Sequence, residues 1–97
     1  MTSPMLIAAP VLAGASAAEE AGSATMGGTM AGAAGPVTAV LPPGGEDASA
    51  AAAAGFAAHG AMTDAMLTQL TLVRSLFAQT IASSGVAYTA MDAVNEA

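Results

Sequence analysis

From Ala48 to about Glu96 the apolar positions repeat every seven residues. Phe56, Thr63, Leu70, Phe77, Ser84 and Met91 share one heptad position, Met66 and Val73 a second, and Leu67, Ile81 and Tyr88 widen the stripe beside them. That period predicts a long amphipathic helix over about 47–96. Leu72 and Leu76 fall outside the stripe, and a helix that is apolar on more than one side must be covered on more than one side. The start is marked by Glu46-Asp47-Ala48-Ser49. Asp47 or Ser49 can accept from the first free N–H groups, and the carboxylates suit the positive end of a helix. Just upstream, Val40-Leu41-Pro42-Pro43-Gly44-Gly45 cannot continue a helix, so a turn is expected over 35–46.

The first segment, from about Pro4 or Ala9 to Ala34, predicts a weaker helix over about 4–34. Ser3-Pro4 suits a cap and first helical position, and Pro10 competes as the start. Gly14, Gly22, Gly27, Gly28 and Gly32 each cost about 1 kcal/mol relative to alanine, so tertiary contact has to hold this helix. Small residues four apart at Ala24, Gly28 and Gly32 permit close backbone approach. Folding about Pro42 would bring Met26 and Met30 near Phe56 and Gly60, with Leu12 near Val73. The expected fold is all-α, an antiparallel two-helix hairpin with helices of roughly 40 Å or more at 1.5 Å per residue. Two helices cannot enclose a core, and outer faces of Ala, Gly, Leu and Met would leave a large apolar patch exposed. A partner that completes a four-helix bundle, either a second copy or a different protein, is the simplest solution. Phe56, Met66, Leu70, Val73, Phe77 and Ile81 are the candidate partner interface.

Composition narrows the choice of partner. The 97 residues make one small domain in which 55% are hydrophobic but only 3% aromatic, so alanine supplies much of the apolar count. The net charge is −6 and Arg74 is the single basic residue. Nucleic acid and anionic membrane surfaces, which need several Lys or Arg, are therefore disfavoured. There is no cysteine, which excludes disulfides and thiolate chemistry. Mean hydropathy is +0.64, but the uncharged stretches are broken by Gly and Pro and filled with Ala, which argues against a transmembrane span. Met5 to Ala18 resembles a signal-peptide core, with Ala15-Ser16-Ala17 as a small-x-small cleavage site, but no Lys or Arg precedes it. A small Ala-rich exported protein with a cleaved signal is one rival reading. A membrane-active peptide is another.

Gly35-Pro36-Val37-Thr38-Ala39-Val40-Leu41-Pro42-Pro43, followed by Glu46-Asp47-Ala48-Ser49, resembles the turn and second-helix start of the mycobacterial PE family. Phe56-Ala57-Ala58-His59, Phe77 and Tyr88-Thr89-Ala90-Met91-Asp92 are similar to further elements of that family in order and spacing. The Pro-Glu pair that names the family is missing, because Pro4 is followed by Met5 and Pro10 by Val11, so the chain reads as a divergent member. The resemblance implies a secreted or cell-surface protein that forms a heterodimer with a PPE-family protein and leaves through a type VII (ESX) secretion system. It also implies that Tyr88 and Asp92 form the secretion motif. An EspG-type chaperone would act only indirectly, through the partner. The chain stops five residues after Asp92, so no lipase or repeat domain is expected to follow.

Residues that could carry chemistry are few. His59, the only histidine, has no companion ligand at helical spacing and is expected to pack in the core or interface. Ser83-Ser84-Gly85 has no placed base, and the adjacent Glu19 and Glu20 point in different directions on a helix. Met26 with Met30, and Met62 with Met66, are expected to be adaptable packing groups. Glu19, Glu20, Glu46 and Asp47 read as solvated surface. No enzymatic activity, metal or other cofactor is expected.

Overall fold

The computed structural model describes residues 4–96, which are all-α, with two helices packed against each other: α1 (Ala9–Thr38) and α2 (Asp47–Glu96). The chain divides into two packing units. One joins the residues up to Ser23 with those from Leu72 onward, and the other is Ala24–Thr71, which contains the connection between the helices. Within each unit a segment of α1 runs antiparallel to a segment of α2.

α1 begins at Ala9, not near Pro4. Leu6 has a φ of 57°, which no α-helix accommodates, and the Ala8 carbonyl accepts the first helical bonds from Val11 (2.9 Å) and Leu12 (3.3 Å). Pro10 then falls in the first turn, where its missing N–H costs no ladder bond. Ser3, the alternative cap, lies outside the described residues. At the other end α1 runs past residue 34 and through Pro36. Pro36 removes only the N–H that would bond the Gly32 carbonyl, and beyond it the Thr38 hydroxyl donates to the Ala34 carbonyl (2.6 Å) and the Ala39 N–H to that of Gly35 (2.9 Å).

Glu46 caps α2. Its carbonyl accepts from the Ala50 N–H at 3.2 Å, and its carboxylate accepts from the Ser49 hydroxyl. Neither Asp47 nor Ser49 has that role, and Ser49 serves as a donor. The Ser49 hydroxyl, and after it the residue's own N–H, hold the Glu46 carboxyl below its ordinary pKa. The charged form is therefore favoured in the fold. The small stabilisation is present above the unfolded pKa and is lost as pH falls through the lowered folded value.

The side-by-side packing uses small and polar residues. In the unit with the chain termini, Leu12, Ser16, Glu19 and Ser23 recur three and four apart along α1 and are buried or half-buried. Arg74, Ala78, Ile81 and Gly85 do the same along α2. The Ser16 hydroxyl donates to the Ala78 carbonyl (2.7 Å), Ser23 and Ser75 share a hydroxyl contact at 3.1 Å, and Ser75 donates to Glu20 (2.9 Å). Arg74 pairs with Glu19 at 2.9 Å, and a Cβ on Gly22 would overlap its guanidinium. Glu19 and Glu20 are thus polar ties between the helices and not merely solvated surface.

In the unit with the connection, Met26, Met30 and Ala34 of α1 are half-buried, as are Ala57, Asp64 and Leu67 of α2. Gly60 is buried, and a Cβ there would overlap the Val37 carbonyl. Gly55, in contrast, has open space around it. Gly60→Ala should therefore destabilise the fold by about 1–3 kcal/mol through forced separation of backbones. Gly55→Ala should stabilise it by up to about 1 kcal/mol through helix propensity. Urea unfolding of both variants, each in the soluble form in which it purifies, checks the pair, and equal effects would rule out a close contact at Gly60.

The pairing register differs from a fold about Pro42. Leu12 meets Gly85 and not Val73, and Val37 closes on Gly60, although Met30 does line one cavity with Phe56 and Gly60, as expected. The connection causes the shift. Residues 39–46 do not form a tight turn but travel back along the first turns of α2, with Val40 lining the same cavity as Phe56, His59 and Gly60. Extended chain covers about 3.3 Å per residue against 1.5 Å for a helix, so eight residues can bridge that overhang.

Candidate partner-binding face

The close seam leaves the large apolar side chains outside. Ala53 and Ala78 are the only buried hydrophobic residues among those described, and no large side chain is fully buried.

In the unit with the connection, Phe56 is 67% exposed, and Met62, Met66 and Leu70 are exposed along the same helix. In the unit with the termini, Phe77 is 55% exposed, with Val73, Leu76 and Met91 also outside. Five of the six candidate interface residues are therefore uncovered. Ile81 differs. It is half-buried and shares the heptad position of Arg74, on the side turned to α1.

Phe56 also forms one wall of a cavity of about 460 Å³ lined by Met30, Val37, Val40, His59 and Leu67 among others. Its walls are almost wholly apolar, so it can take an aliphatic or aromatic side chain but offers little to orient a polar substrate. His59 is exposed at this cavity and is not a core residue. Among the described residues no group of three His, Cys, Asp or Glu comes together. Of the methionine pairs, Met26 and Met30 are half-buried against α2, while Met62 and Met66 are exposed. Among the described residues no helix is long and apolar enough to cross a membrane.

Tyr88 and Asp92 sit four apart on one face of α2, but their surroundings differ. The ring of Tyr88 is 46% exposed. Asp92 is half-buried and accepts from two backbone N–H groups, that of Met5 at Oδ1 (2.6 Å) and that of Ile7 at Oδ2 (3.2 Å). The carboxylate is held by the backbone of residues that precede α1. Sequence reasoning had no access to this contact, because backbone donors 85 and 87 residues away leave no mark in the side chains.

The fold and the face together define an all-helical protein of two packed helices that leaves Phe56, Met66, Leu70, Val73 and Phe77 exposed. The model of the PE family matches residues 5–95. The chain belongs to the PE family. It is 39% identical over 74 residues to the PE family protein PE13 of Mycobacterium tuberculosis (strain ATCC 25618 / H37Rv), which covers 76% of this chain and 75% of that protein. It is 40% identical over 83 residues to the PE family immunomodulator PE15 of Mycobacterium tuberculosis (strain CDC 1551 / Oshkosh), covering 86% and 81%. No solved structure matches the chain.

Proposed function

We propose that this protein is a non-enzymatic, secreted or cell-surface subunit that pairs with a PPE-family protein. In this reading the partner supplies a second pair of helices, which cover Phe56, Met66, Leu70, Val73 and Phe77 and complete a four-helix bundle. Tyr88 and Asp92 then serve as the motif read by type VII (ESX) secretion machinery, and an EspG-type chaperone engages the partner alone. The observation that carries the reading is the exposure of Phe56, Met66, Leu70, Val73 and Phe77, with no large side chain fully buried among the described residues. Membership of the PE family supports the kind of partner.

A cleaved signal peptide fits this arrangement poorly. Removal of the chain through Ala17 would delete both Leu12, which packs at Gly85, and Ser16, which bonds Ala78. The decisive experiment is expression with and without a PPE-type partner. Alone, the chain should be poorly folded or self-associated, because two buried alanines and a few half-buried larger side chains offset little of the entropy of ordering it. Co-expression should give a soluble, strongly helical complex with an intact N-terminus by mass. A monodisperse monomer with a cooperative thermal transition on its own would refute the proposal.

A further inference from the structure

The contact between Asp92 and the chain's first described residues is a built carboxylate site. Leu6 holds a φ of 57°, a left-handed conformation that leucine keeps only where its surroundings over-determine it. That one reversal lets the N–H groups of Met5 and Ile7 converge on the two oxygens of a single carboxylate. Amides on either side of a left-handed residue make a concave anion-binding nest, and bonds to a charged acceptor are stronger than neutral ones. The geometry continues straight into α1. The Ile7 carbonyl accepts from the Ala9 N–H at 3.1 Å, and the Ala8 carbonyl opens the helical ladder. Asp92 therefore also lies close to the positive end of α1. Met5 and Leu6 are exposed and Ile7 is half-buried, so the two bonds to the carboxylate act beside limited apolar packing.

We propose that residues 5–7 form a backbone clamp for the Asp92 carboxylate, which withholds the acid from any receptor until the segment lifts away, while the Tyr88 ring stays accessible. The clamp itself stands on the geometry. Its consequence for export rests on the reading of Tyr88 and Asp92 as a secretion motif. Export then needs an opening step, in which a receptor donor takes over the carboxylate from the two amides.

Amide hydrogen exchange on the full chain, in the soluble form in which it purifies, tests the clamp. Asp92→Ala should speed exchange at Met5 and Ile7 at least tenfold and leave the amides around Ala78 unchanged. Equal rates in the two proteins would overturn the clamp. The gating is tested with Ile7→Pro, which removes one donor and forces Leu6 out of its left-handed conformation while keeping Asp92 and Tyr88. The ratio of exported to retained protein should rise at least twofold in this variant. An unchanged or lower ratio would overturn the gating. If Tyr88→Ala and Asp92→Ala are both exported normally, the secretion reading fails, and the exchange result still decides the clamp.

Discussion

Phe77→Ala should weaken the complex with the partner by about 3 kcal/mol, on the order of a hundredfold in affinity. Phe77 is more than half exposed in the chain itself, so truncating it removes little packing between α1 and α2. The loss should instead appear where a partner helix covers the ring, because large aromatic side chains at the centre of an interface carry much of its energy. Leu70→Ala, one heptad away, should act in the same direction. Ser83→Ala is the control, since Ser83 is exposed and lies off the apolar stripe. Ile81→Ala should behave differently again. Its side chain is half-buried on the α1 side, so the loss falls on the helix pair itself. Urea titration of the co-purified complex, with subunit dissociation and helix content followed separately, distinguishes these cases. If Phe77→Ala and Ser83→Ala shift dissociation equally, this face is not the interface.

Tyr88→Ala and Asp92→Ala should each abolish export while the partner complex still forms. Both residues lie on one face near the end of α2, where a receptor can read a ring and a carboxylate together. Asp92→Glu should be exported, because it keeps the charge. The check is a blot of culture filtrate and lysate, with a pull-down of the partner from the same lysate. Normal export of both alanine variants would remove the secretion role. Loss of export together with loss of the complex would assign Tyr88 to packing.

Local order was the part of the fold most open to sequence reasoning. The apolar period between Phe56 and Met91 predicts α2, and the consecutive prolines and glycines before it predict the break. The ends of α1 were less open. The first helix was expected to end near Ala34, yet it runs on through Pro36, which removes a single ladder bond, and Thr38 and Ala39 supply donors to the Ala34 and Gly35 carbonyls beyond it. At the start, the competition between Pro4 and Pro10 is resolved by the backbone reversal at Leu6 and the amides that flank it on Asp92.

Helicity and its apolar faces follow from propensity and period, which act over a few residues, so the sequence by itself determined an all-α chain with more apolar surface than two helices can bury. It also carried enough local motif around Pro42 and Pro43 to indicate the PE family. Only the tertiary structure decided which stripe of α2 meets α1. Hydrophobicity shows that Phe56, Leu70 and Phe77 gain by burial, but it does not say whether α1 or another molecule covers them. Close approach settled the question. Gly60, Ala78 and Gly85 let the two backbones come together where larger side chains would hold them apart, and the pairing of Arg74 with Glu19, 55 residues apart, marks the same stripe. The register in the unit with the connection depends on how far residues 39–46 travel back along α2, and the clamp on Asp92 depends on residues 5–7 meeting the end of α2. Both are long-range outcomes of packing, set by steric fit between segments distant in the chain.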